Sequence, residues 1–256
     1  MKSYLFAIVA LLLAISTSAS AQQGYEFEVY DSHIGRTGST ELELSSNYVA
    51  SGLTEFDEGL YPTHHASRSS LEISRTLSSW LQGTAYITAN ALPSHSLSYV
   101  GNRLKLTAVA PSSWHLPVDV GLANELVYTR PGFAEYQWAY ELSPILARTF
   151  GALTVAFNPA FERGLSGSGE HHIEMEPRGK IGFGFGDDAS VALEYYAGLG
   201  GIGEGYTLAQ QRHQLFGRIE GEVSPRMEAA FGVGRGLTRS SDKWVITAAL
   251  EYKLGK

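Results

Sequence analysis

Apolar and polar residues alternate with a period of two along most of the chain, which is the spacing of strands with two unlike faces and not of helices. The pattern is clearest in residues 133–162. Tyr136, Trp138, Tyr140 and Leu142 fall on one face, and Glu135, Gln137, Ala139 and Glu141 on the other. After Thr149, Phe150 and Gly151 the alternation resumes, with Leu153, Val155, Phe157 and Phe161 set against Thr154, Ala156, Asn158 and Glu162. The pattern predicts an antiparallel hairpin. Its arms run for roughly ten residues, longer than an average strand and close to what a tilted strand needs to cross a bilayer.

The same pattern predicts strands elsewhere. Leu42, Leu44 and Tyr48 oppose Glu41, Glu43 and Asn47; Leu71, Ile73 and Leu77 oppose Ser70, Glu72 and Ser74. Ala85, Ile87, Ala89 and Ala91 alternate with Thr84, Tyr86, Thr88 and Asn90, and Leu104, Leu106 and Ala108 with Arg103, Lys105 and Thr107. Val118, Val120, Leu122, Leu126 and Tyr128 share a face that Asn124 interrupts. Later segments fit residues 173–185, 190–197, 212–223, 227–233 and 244–254. Together they make about twelve segments, an even number, as single-chain outer-membrane barrels have. Tight turns at Ser78-Ser79, Thr149-Phe150-Gly151, Gly186-Asp187-Asp188 and Ser224-Pro225-Arg226 contrast with long connections at 51–67, 163–171 and 198–211. The expected fold is all-β: a single antiparallel transmembrane β-barrel with short periplasmic turns, longer outer loops and both termini on the periplasmic side. A secreted β-sandwich also alternates apolar and polar residues. Long strands, unequal loops and aromatics near strand ends (Tyr128, Tyr136, Tyr195, Trp244, Tyr252) favour the barrel.

The opening residues sharpen this picture. Lys2, an apolar core over residues 4–15 and the closing Ala19-Ser20-Ala21 form a secretory signal peptide, residues 1–21. Residues 22–38 alternate weakly and fit a periplasmic arm or an internal plug. The barrel domain is then 39–256. No later apolar run is long enough for a transmembrane helix, so a membrane-embedded mature chain must be a closed barrel. Cysteine is absent, which excludes disulfides and thiol chemistry. The net charge of −7, one unit more negative without Lys2, argues against a nucleic-acid partner. The expected partners are outer-membrane lipid, the barrel-assembly machinery and a small solute.

Residues 143–158 around the Thr149-Phe150-Gly151 turn, and 179–196 across Gly186-Asp187-Asp188, resemble the bacterial outer-membrane barrel family named for the meta-pathway of phenol degradation. The resemblance spans residues 40–254 and rests on diffuse hairpin patterns. It implies a barrel of about twelve strands with a transport role and supplies no catalytic residues. Many outer-membrane barrels end in an aromatic residue; this chain ends Tyr252-Lys253-Leu254-Gly255-Lys256.

Candidate chemistry lies on the face opposite the apolar one. Glu174, Glu176, Arg178 and Lys180 share one strand, Glu194 lies on the next, and Arg212, Arg218, Glu220 and Glu222 follow; Glu125 and Glu141 are outlying members. Facing lipid, each charge would cost up to several kcal/mol near the midplane, so they must face the interior. There they either line a selective pore or hold the barrel together as a salt-bridge network. The pairs His64-His65 and His171-His172 read as loop histidines, since adjacent strand residues point to opposite faces. Gly198-Leu199-Gly200-Gly201-Ile202-Gly203 lacks the strand–turn–helix context of a dinucleotide site. No cofactor or metal is implied. Ser94 to Ser96 around His95 leave an outer-membrane hydrolase as an alternative, beside a non-conducting structural or adhesive barrel.

Overall fold

The computed structural model describes residues 27–55, 59–92, 97–166, 172–186 and 189–254. Residues 1–21, read from the sequence as a signal peptide, together with residues 22–26, His95 and His171, lie outside them. Strands follow in chain order as β1 (Thr40–Ser51), β2 (Ser67–Ser78), β3 (Leu81–Ala91), β4 (Ser98–Val109), β5 (Asp119–Thr129) and β6 (Trp138–Phe150). The second half holds β7 (Leu153–Gly164), β8 (Ile173–Phe185), β9 (Ala189–Gly198), β10 (Arg212–Ser224), β11 (Met227–Gly236) and β12 (Trp244–Leu254). Each strand pairs antiparallel with its sequence neighbours, and β1 pairs with β12, closing the sheet. Closure leaves no free edge, so the strands satisfy one another's backbone groups without water.

The two faces are inverted relative to a water-soluble protein. Leu71, Leu104, Ile181, Phe183 and Leu193 point outward, each at least half exposed, while Arg178, Glu125, Glu141 and Glu194 point inward and are buried. So continuous an apolar exterior far exceeds what a soluble monomer shows water. Exposed aromatics gather at both ends of the strands: Tyr48, Tyr99, Trp138, Tyr195 and Trp244 at one, Trp80, Phe150, Phe185 and Tyr252 at the other. They form the two girdles that mark bilayer interfaces in membrane barrels.

Connections 79–80, 151–152, 186–188 and 225–226 are tight and lie at one end, here the turn end. Gly151 and Gly186 carry positive φ there, at +61° and +71°, which glycine adopts without a steric penalty. The connection between β4 and β5 is the longer exception, and holds a 3-10 turn at Ser112–Trp114. At the opposite, loop end the longest connections are 52–66 and 199–211. Thr40 pairs with Leu254, so the barrel begins and finishes at the turn end.

Two irregularities have local causes. Asn124, polar on the outer face, accepts a hydrogen bond from Tyr140 Oη at 2.7 Å, which satisfies its carbonyl oxygen at the lipid-facing surface. Pairing between β6 and β7 lapses after Leu142↔Phe161 and resumes in the same register at Leu146↔Phe157, which sets Pro144 against Pro159. Pro159 in turn opposes Pro177 on β8. Prolines have no N–H to donate, so the ladder thins along this row.

One expectation fails. Tyr136, read as an outward strand residue, precedes β6 and is buried. The alternation runs past the true strand start because the chain folds inward before Trp138, where the Tyr136 hydroxyl reaches Glu174 Oε1 at 3.4 Å.

Candidate functional site

The lumen is the candidate site. Period-two alternation alone sends Glu125, Glu141, Glu174, Glu176, Arg178, Lys180, Glu194, Arg212, Arg218 and Glu220 inward from β5, β6, β8, β9 and β10. Pairing registers then decide which of them meet.

Toward the loop end, Arg178 Nη2 lies 2.6 Å from Glu141 Oε2 and 3.7 Å from Glu176 Oε2. Arg212 Nη2 lies 2.7 Å from Glu176 Oε1. Arg103 Nη1 stands 3.6 Å from Glu125 Oε2. Toward the turn end, Lys180 Nζ approaches Glu220 Oε1 at 2.7 Å and Glu194 Oε1 at 3.8 Å, and Arg218 Nε lies 3.5 Å from Glu220 Oε2. The Tyr196 hydroxyl donates to Glu194 at 2.7 Å. Charges this buried hold only where partners compensate their desolvation, and most have two. Glu222 is the outlier: it sits opposite Glu228 near the turn-end rim and is exposed.

Residues 27–30 occupy the space between the two groups. Tyr30 N donates to Asn158 Oδ1 at 2.7 Å, Asn158 Nδ2 donates to Tyr30 O at 3.0 Å, and the Tyr30 hydroxyl donates to Glu125 Oε1 at 2.6 Å. The Lys105 ammonium sits 4.3 Å from the Tyr30 ring centroid and 3.5 Å from Glu28 Oε2. Phe27 packs against Phe216 and Tyr196 at centroid distances of 4.4 and 5.3 Å. Arg218 donates to the Phe27 carbonyl at 3.3 Å. The segment then runs toward the turn end, where Gly38 N donates to Thr76 O at 2.8 Å. On the way, Asp31 accepts from His33 N at 2.8 Å and faces His33 Nδ1 at 3.2 Å. The hydrogen bond of the Asp31 carboxylate to the imidazole ring raises the His33 pKa above its ordinary value.

Phe27 also borders a cavity of about 50 Å³ lined on its polar side by Glu141, Glu162, Glu176, Arg103, Arg178 and Arg212. Glu162, Arg103 and Lys105 are lumenal residues that the candidate set omits, although the alternation already puts all three on the polar face. Phe27 and Tyr30 are harder to foresee, because the weak alternation of their segment names no partner.

The described histidines lie in connections and at strand ends. His65 Nδ1 meets the Tyr48 hydroxyl at 2.7 Å, and His172 Nδ1 meets Glu204 Oε1 at 2.6 Å. Among the described residues, no three His, Asp or Glu side chains are placed to hold a metal ion.

No protein-family model matches the chain, and no curated protein matches it. Solved structures do. The COG4313 outer membrane channel from Pseudomonas putida F1 is 9% identical with a TM-score of 0.63, covering 90% of this chain and 100% of that one. The KdgM porin, solved in complex with disordered oligogalacturonate, is 12% identical with a TM-score of 0.52, over 83% and 98%. The transport unit of the autotransporter AIDA-I from Escherichia coli is 9% identical with a TM-score of 0.51, over 97% of each chain. At these identities the likeness is one of fold, and the fold is that of outer-membrane β-barrels. The phenol-pathway family that the hairpins resemble is not matched at the level of sequence.

Proposed function

We propose that the protein is an outer-membrane channel that passes small polar or amphipathic solutes by passive diffusion, with residues 27–30 as a constriction within the barrel. The observation that carries this reading is the inversion of faces: a charged interior inside an apolar, aromatic-girdled exterior. A barrel that served only as an anchor gains little from buried ion pairs, since apolar residues of similar volume often stabilise as well or better. The proposed lining comprises Glu125, Glu141, Glu174, Glu176, Arg178, Lys180, Glu194, Arg212, Arg218 and Glu220, with Glu222 at the mouth. Export by the signal peptide, insertion by the barrel-assembly machinery and residence in the outer membrane of a Gram-negative-type bacterium belong to the same reading.

A second reading, a non-conducting structural or adhesive barrel, is favoured by how fully Phe27, Tyr30, Tyr196 and Phe216 fill the interior between the two charge groups. Single-channel recording in planar bilayers separates the two. The channel reading expects small stepwise currents from the full chain and larger steps from a Phe27→Ala/Tyr30→Ala double variant. Silence from both proteins, with barrels shown intact by a heat-dependent shift in gel mobility, would reject the channel and leave the structural barrel.

A further inference from the structure

The lumenal cations Arg103, Arg178, Lys180, Arg212 and Arg218 each face a carboxylate. Three cations at the loop end do not. Arg235 lies near the end of β11, Arg239 and Lys243 follow in the connection 237–243, and all three are exposed. Among the described residues none of them has an ion-pair partner. The carboxylate of that connection, Asp242, is turned away from them: it is buried and accepts a hydrogen bond from the Thr63 hydroxyl. Arg235 points outward, in one row with Phe231 and Val233. Its register partner on β12 is Trp244, and its guanidinium lies over the Trp244 ring, 4.9 Å from the centroid. A cation–π contact leaves the guanidinium N–H groups to other acceptors, and among the described residues they have none. Polar neighbours on the same rim find partners within the protein: Tyr48 with His65 at 2.7 Å, Tyr195 with His213, and Arg130 with the Tyr99 carbonyl at 3.2 Å.

Trp244 belongs to the loop-end girdle, so the Arg235 guanidinium sits at the depth of a bilayer's headgroups. Below it the wall is apolar. Val233 and Phe231 on β11, and Ile246 opposite Val233 on β12, are each 37–49% exposed. A molecule that meets Arg235 from the lipid side therefore lies along an apolar strip and ends at a cation. We propose that Arg235, in the positive field of Arg239 and Lys243, binds the phosphate of an outer-leaflet lipid headgroup, with an acyl chain of that lipid along Val233, Phe231 and Ile246. The planar fork of arginine matches two phosphate oxygens at once, and neighbouring basic side chains strengthen the attraction to an anionic headgroup. Free phosphate would fill the guanidinium and leave the apolar strip uncovered, which selects the lipid. The inference rests on residence in the outer membrane with the loop end outward, and it holds whether or not the lumen conducts.

The test is native mass spectrometry of the purified full chain in detergent, titrated with lipid A, a diphosphorylated acyl glycolipid, and separately with the same lipid stripped of its phosphates and with inorganic phosphate. Saturable lipid A binding that falls about tenfold on phosphate removal, and about as far in Arg235→Gln, supports the site. Arg226→Gln, which removes an exposed arginine from the turn end, should bind as the unaltered chain does. Gel mobility checks that each variant remains a barrel. Four outcomes overturn the site: no saturable binding of lipid A, equal binding of the phosphate-free lipid, equal weakening in Arg226→Gln and Arg235→Gln, or binding unchanged in Arg235→Gln. Inorganic phosphate that binds as tightly as lipid A would make this a free-anion site and reject the lipid. Binding is read without current, so a bilayer-silent barrel that still binds lipid A through Arg235 would fail as a channel and keep the site.

Discussion

Tyr30 joins the chain's earliest described segment to the barrel wall through Asn158 and Glu125, residues far away in sequence. Tyr30→Phe removes the hydroxyl that donates to the buried Glu125 carboxylate and leaves Arg103 as its ion-pair partner. The expected loss is about 1–3 kcal/mol, measured as a lower urea midpoint for the gel-mobility transition. His33 gives a pH signature. The Asp31 hydrogen bond raises its pKa in the folded state. The stabilisation is therefore complete below the unfolded value near 6.5 and is lost as pH rises through the higher folded value. A proton NMR titration should place the His33 midpoint above that ordinary value, and Asp31→Asn should bring it back down. At this scale the sequence is legible where a strand fixes the side: the inward direction of Glu162 follows from its even, four-residue spacing from Asn158. The contacts of Tyr30 have no such local signal, because its partners lie on strands that only closure brings near.

Strands were the most readable elements, since alternation and tight turns between the segments point to twelve of them, the number in the barrel. Reading fails where the pattern outlasts the hydrogen bonds, as at Tyr136, or where a residue's role depends on a distant ring. Gly234 is such a residue. Its backbone faces Phe216 across the β10–β11 pair, and a side-chain carbon added there would come within 2.3 Å of the Phe216 ring. Gly234→Val should therefore displace Phe216, and with it Phe27, at a cost of about 1–3 kcal/mol. The expected outcome is a lower unfolding midpoint together with faster proteolysis at the N-terminal segment, whereas Gly217→Ala, with nothing near its added carbon, should be nearly neutral.

For the molecule as a whole, the charges of the lumen set the field along its axis. Exchanging Arg178, Lys180, Arg212 and Arg218 for glutamine removes positive charge from both groups and should shift the reversal potential in a KCl gradient toward the potassium equilibrium value. An unchanged potential would mean that ions do not pass these side chains. The closed barrel, its strand number and its unequal ends were legible from alternation taken together with strand length, loop asymmetry and the aromatics near strand ends. The state of the lumen was not, because filling depends on how side chains from many strands converge.

The placement of residues 27–30 also constrains the order of assembly. The segment is translated before every strand, yet Phe27 needs β9 and β10, and Tyr30 needs β5 and β7, before its pocket exists. The part of the chain made early is thus seated late. Refolding into detergent should show two kinetic phases: barrel closure, read by gel mobility, and a slower burial of Tyr30, read by its protection from chemical iodination.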